Sequence, residues 1–166
     1  MNLRRAHADD APRLAALAQW VWLDSYAQSG VHAGVLPYLA ASFSEGAFRH
    51  LLADPDRALW VHEHEGHLQA LAQLRRGATA PVAARATVEL ERLYVAPPCT
   101  GQGQGVHLLK AARATWPADG LWLTVWAGNT GAQRFYAREG GVVKGETDFI
   151  LDGQAHRNFV YAWECA

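Results

Sequence analysis

The chain has 166 residues, 50% of them hydrophobic and 19% charged, which suits one domain over residues 1–166 with a filled core and excludes disorder by composition. Lys and Arg number 15 against 16 Asp and Glu, a net charge of -1 that lacks the basic excess of a nucleic-acid partner. No apolar run approaches the roughly 20 residues of a bilayer span, so no membrane partner is expected.

Arg4-Arg5 has no apolar stretch behind it, so the beginning of the chain does not read as a secretory signal. Cys99 and Cys165 are too few and too far apart for a zinc site or a disulfide framework, and a reducing cytoplasm is the expected location. Leu3–Arg5 reads as a first strand. Asp9 or Asp10 then offers a cap to a helix with Pro12 in its first turn, and Leu14, Leu17, Ala18 and Val21 carry the helical period to about Asp24. Tyr26–Phe43, with Gly30, Gly34 and Pro37, predicts a broken-helical stretch. Ser44 caps a second helix that Asp54-Pro55-Asp56 closes. Ala58–His62 and Leu68–Leu74 read as strands around a Glu65-Gly66 turn, and Thr87–Val95 as a third strand ended by Pro97-Pro98. A glycine-rich turn leads into a helix from Val106 to about Trp116. Leu121–Trp126 is a further strand, Asn129–Arg138 a short helix stopped by Gly140-Gly141, and Val142–Leu151 with His156–Trp163 a hairpin around Asp152-Gly153. This alternation predicts an α/β fold, a mixed sheet with helices on both faces.

Gly101, Gly103 and Gly105 stand at every second position before a helix start. Lacking Cβ atoms, such a backbone can turn tightly and present consecutive N–H groups to an anion, with the helix dipole behind them. A plain flexible loop is the competing reading. A phosphate-binding Walker turn would need a Lys-Ser/Thr pair where Val106-His107 follows, and that reading fails. The dinucleotide fingerprint lacks its third glycine, because Val106 takes the place, which makes a nicotinamide cofactor a poor second choice.

The segment from Leu90 to Gly105, a strand, a proline bend and a Gly-x-Gly-x-Gly helix start, resembles the acetyl-CoA-binding motif of the GNAT family of N-acetyltransferases. Asn129 to Gly141, with Ala132, Phe135 and Tyr136 at the matching places, resembles a second family segment; Arg4-Arg5-Ala6 with Asp9-Asp10 is a weaker match to its opening. Two positions depart from the pattern. Thr100 replaces the usual Arg or Gln, and Gly141 replaces the usual Phe.

The resemblance implies the GNAT acyl-CoA N-acyltransferase fold, with a central sheet of six to seven strands. It implies an acetyl-CoA-dependent N-acetyltransferase that passes an acetyl group to a primary amine by direct attack in a ternary complex, with acetyl-CoA as co-substrate and no metal. A non-catalytic acyl-CoA-binding sensor is the alternative. The co-substrate would meet Leu93, Tyr94 and Val95, where the strand bulges and parts from its neighbour. It would also meet Thr100, Gly101, Gln102, Gly103, Gln104, Gly105 and Val106, and beyond them Asn129 and Tyr136. A main-chain N–H near Leu93–Val95 would face the developing oxyanion.

An alkyl amine with pKa about 10.4 must lose a proton before it attacks. Glu89 and Glu91 share one strand face by alternation, and Glu89 is the first candidate base, directly or through water. Both carboxylates can equally be ion-paired, to Arg75 or Arg92. Tyr136 is the candidate acid for the departing thiolate, or a core aromatic. Trp22, Tyr26, Tyr38 and Phe43 flank the region that lines the acceptor pocket in this family, for a small-molecule or peptide amine. His62-Glu63-His64-Glu65-Gly66-His67 reads as a solvated hairpin tip rather than a metal site. Cys99 with His107 would be needed for an acyl-cysteine route, and direct transfer fits better. The terminal hairpin leaves a homodimer open.

Overall fold

The structure is a computed structural model that describes residues 2–164; Cys165 lies outside them. In chain order the elements are β1 (Asn2–Arg5), α1 (Ala11–Tyr26), α2 (Leu36–Ser42), α3 (Glu45–Ala53), β2 (Arg57–His64), β3 (His67–Arg76), β4 (Val88–Val95), α4 (Gln104–Thr115), β5 (Leu121–Trp126), α5 (Thr130–Arg138), β6 (Val142–Leu151) and β7 (Gln154–Trp163). The strands form one seven-stranded mixed sheet in the order β1-β2-β3-β4-β5-β7-β6. β4 and β5 run parallel, whereas β1-β2, β5-β7 and β6-β7 are antiparallel. Two compact units divide the chain, Met1–Gln73 with Arg92–Ala111 and Leu74–Glu91 with Ala112–Ala166.

In the first unit, α1 buries Leu14, Leu17, Ala18 and Val21, the residues whose spacing predicts it, and runs on to Tyr26 instead of stopping near Asp24. The expected carboxylate cap is not made. Asp10 occupies the cap position, but its side chain accepts from Arg4, Arg13 and the His7 amide. α3 keeps its cap, with Ser44 Oγ accepting the Ala47 N–H at 3.2 Å. Glu65 and Gly66 both have positive φ (49° and 79°), which makes the tight two-residue connection between β2 and β3. Leu71, Val61, Phe43, Phe48 and Leu108 are fully buried in this unit.

In the second unit, β5 and β7 supply Leu121, Leu123, Val125, Val160 and Ala162 to the core. Residues 77–87, which form neither strand nor helix, pack Ala78, Ala80 and Ala86 against Trp122 and Val160. Trp122 Nε1 fastens this segment by donating to the Ala78 carbonyl at 3.0 Å. Gly141, where the family pattern has Phe, leaves room that Trp163 fills: a Cβ built there would lie 2.8 Å from the indole. That indole also donates to the Glu139 carbonyl at 3.0 Å.

Candidate active site

The segment after β4 turns on two glycines rather than three. Gly101 (φ 75°) and Gly103 (φ 82°) have left-handed backbone, which side chains resist, and nothing lies within 4 Å of where their Cβ atoms would be. α4 begins at Gln104, two residues before the expected Val106, and takes Gly105 into its first turn. Its first ladder bond runs from the His107 N–H to the Gly103 carbonyl at 3.1 Å. The amide groups of Gly101 through Val106 therefore precede the helical ladder, at the positive end of α4. A cluster of amide hydrogens on an open, left-handed turn fits a diphosphate. Thr100 adds no side-chain donor, since its hydroxyl donates to the Pro97 carbonyl at 2.9 Å. Gln102 Nε2 is directed at the Pro98 carbonyl.

Beneath this turn lies a polar pair that sequence reasoning missed. Gln104 is 1% exposed, and its Nε2 donates to Gln69 Oε1 at 2.7 Å while its own Oε1 has no partner. Cys99 closes the 3-10 turn Pro97–Cys99, and its N–H donates to the Ala96 carbonyl. His107 stacks on His62 with ring centres 6.2 Å apart. His62 corrects the reading of a solvated hairpin tip: it is 2% exposed, its Nδ1 has no partner, and burial followed by the neighbouring His107 pushes its imidazole below the usual range. Among the described residues, no group of three or more His, Cys, Asp or Glu side chains is placed to hold a metal ion.

The aromatic residues at the end of α1 form one continuous chain of rings. Trp22 lies 5.4 Å from Tyr26 and 5.5 Å from Tyr38, Tyr38 meets Phe43 at 5.7 Å, and Phe43 meets Tyr94 at 6.4 Å. Trp22 is buried, so Tyr26 and Tyr38 present more of this group to solvent than it does. Arg92 completes it. Its guanidinium covers the Phe43 ring at 4.8 Å, donates to Gln73 Oε1 and lies beside the Tyr94 hydroxyl. Burial and then the neighbouring Tyr38 push the Tyr94 phenol upward, so its hydroxyl keeps its proton.

In the second unit, Arg75 pairs with both glutamates. It lies 2.6 Å from Glu89 and 3.5 Å from Glu91, and the Glu89 hydrogen bond raises it above the usual arginine range. One side chain reaching both carboxylates agrees with their sharing a strand face. The β4–β5 ladder holds Val88 opposite Leu121 and Glu89 opposite Trp122. Asn129 caps α5, its Oδ1 accepting the Ala132 N–H at 3.0 Å. Tyr136 is 7% exposed, its ring against Phe135, Tyr161 and Trp163 at 5.1, 6.1 and 6.0 Å.

Residues 14–141 match the model of the acetyltransferase (GNAT) family, which covers more than half of the chain and includes both glycine-turn and Asn129 segments. The chain belongs to the GNAT family. A curated relative, an uncharacterized N-acetyltransferase of Mycobacterium tuberculosis (strain H37Rv), is 31% identical over 158 residues, 93% of this chain and 97% of the relative. Among solved GNAT-type structures, the PaiA N-acetyltransferase of Thermoplasma acidophilum, in complex with coenzyme A, superposes with a TM-score of 0.77 at 19% identity, over 99% of this chain and 98% of the other. NAA60 of Arabidopsis thaliana, in complex with acetyl-CoA, gives 0.72 at 14% identity, over 98% and 97%. These two likenesses concern the fold. The mixed seven-stranded sheet here is accordingly the GNAT fold.

Proposed function

We propose that the protein moves an acetyl group from acetyl-CoA to a primary amine by direct attack within a ternary complex. The observation that carries this reading is the set of amide groups from Gly101 to Val106 ahead of the α4 ladder, inside the segment that matches the family. Coenzyme A in the PaiA structure and acetyl-CoA in the NAA60 structure support the choice of ligand. Residues 101–106 would hold the diphosphate through main-chain N–H groups, with no basic side chain among them. Bound acetyl-CoA supplies a thioester carbon open to attack by a neutral amine.

The backbone of Leu93–Val95 would align the pantetheine arm and direct an N–H at the oxygen on which charge develops. Glu89 takes the amine proton in this reading, directly or through a water, and Arg75 competes for the same carboxylate. Tyr136 returns a proton to the departing sulfur. Asn129, already committed to its helix cap, would orient the pantetheine arm. Trp22, Tyr26 and Tyr38 would receive the acceptor.

Incubation of acetyl-CoA with a panel of amines, read as free thiol release and acetylated product mass, tests the proposal. Turnover is expected, and the double variant Glu89→Gln/Glu91→Gln should lose about 100-fold or more while coenzyme A binding persists. The ion pair of Glu89 with Arg75 favours one rival, an acyl-CoA-binding sensor, in which these carboxylates serve the sheet alone. That rival requires calorimetric binding of acetyl-CoA with no thiol release for any amine.

A further inference from the structure

We propose that the acceptor is an α-amino acid with an apolar side chain, its carboxylate held by Arg92 beside the Tyr94 hydroxyl of the first unit. The proposal rests on the N-acetyltransferase reading for the fate of the amine, but not for the binding of the acid. Three observations converge on it.

Arg92 has no acidic partner among the described residues; its contacts are Gln73, Tyr94 and the face of Phe43. A guanidinium offers five N–H donors, and these contacts leave part of that fork for an acceptor from outside the chain. The neighbouring groups suit the same oxyanion. Tyr94 lies beside Arg92 and belongs to the same run of rings as Tyr38, through Phe43. The Tyr94 phenol, which keeps its proton, can donate to a carboxylate oxygen.

The walls set the rest of the ligand. Phe43 is fully buried under Arg92, Trp22 is buried against Tyr26 and Tyr38, and Tyr26, 43% exposed, forms the open rim. Buried Phe43 and Trp22 back this surface, and an apolar or aromatic side chain gains by leaving water against the faces of Tyr26 and Tyr38 that stay open. Charge selects among oxyanions. Arg92 is the cation of this cluster, and one guanidinium balances a carboxylate monoanion but not a phosphate dianion.

Matched pairs decide the matter, for example phenylalanine against phenethylamine and leucine against isoamylamine. With acetyl-CoA and the full chain, kcat/KM should favour each amino acid over its decarboxylated partner by about 10- to 100-fold, the worth of a charge-assisted hydrogen-bonded contact. Arg92→Gln should shrink that ratio to about threefold or less, and Arg92→Lys should restore only part of it. Equal use of both members of each pair by the unaltered protein overturns the proposal, and this arm needs no variant to fold. If no amine is turned over, the acetyltransferase reading fails, and the acid site is judged by binding alone. Phenylalanine should then still quench tryptophan fluorescence in the unaltered protein and at least 10-fold less tightly in Arg92→Gln. Equal affinity in the two proteins sinks it.

Discussion

Asp10 is a charge with no exposed surface, tolerable because its two oxygens accept from two arginines and a main-chain amide. Arg4 Nη1 and Nη2 approach its two oxygens at 2.7 and 2.9 Å, Arg13 Nη2 at 2.5 Å and the His7 amide at 3.0 Å. Burial alone would raise this carboxyl, but the Arg4 hydrogen bonds and the His7 amide prevail and hold it well below the usual carboxylate range. A folded-state value below the unfolded one stabilises the fold above the unfolded pKa of about 3.9, and that contribution is lost as pH falls further. Asp10→Asn, which leaves two arginines facing an amide, should therefore lose about 3 kcal/mol in urea unfolding at pH 7. The difference from the unaltered protein should narrow when the same titration is run near pH 3. The sequence places Asp10 at a helix start, and from that position a cap is the natural expectation. Only the return of Arg4 on β1 beside α1 turns it into the centre of an ion-pair network.

At the scale of elements, the segment between β4 and α4 shows how far local chemistry can be read. The strand, the proline stop and the turn all follow from residue type, yet α4 starts at Gln104 rather than Val106. Glycine inside a helix costs about 1 kcal/mol relative to alanine, so Gly105 reads as loop until tertiary packing pulls it into the first turn. Gly101 and Gly103 differ from it because their φ angles are positive. Gly101→Ala and Gly103→Ala should each cost about 1–2 kcal/mol in thermal or urea unfolding and weaken acetyl-CoA binding by calorimetry about 10-fold. The helix cap in α3 supplies a contrast. Ser44→Ala should cost about 1 kcal/mol, since Ala47 loses its acceptor, and should leave acetyl-CoA affinity unchanged.

At the scale of the whole molecule, contacts between residues far apart in sequence decide what the motifs leave open. Gly141 reads from the sequence as a lost packing residue, and its compensation sits 22 positions later in Trp163, whose indole reaches the space beside it. Gly141→Phe should destabilise by about 2 kcal/mol through overpacking. In a double-mutant cycle by urea unfolding, combining it with Trp163→Ala should cost at least about 1 kcal/mol less than the sum of the two changes, because one ring replaces the other. Glu89 and Glu91 likewise read as either free or paired, and Arg75 on β3 reaches both. Arg92 is the counterpart case. It stands beside those glutamates in sequence and reads, like Arg75, as a candidate partner, but its contacts are with Gln73, Phe43 and Tyr94.

Periodicity, prolines, glycines and two family segments determined the strands, the helices and the nature of the glycine turn, because those signals act between residues close in the chain. The tertiary structure alone decided which charges meet, why Asp10 and Gln104 can be buried, and where Arg92 points. Those outcomes depend on side chains brought together by strand pairing and helix packing, for which no spacing along the chain provides a measure.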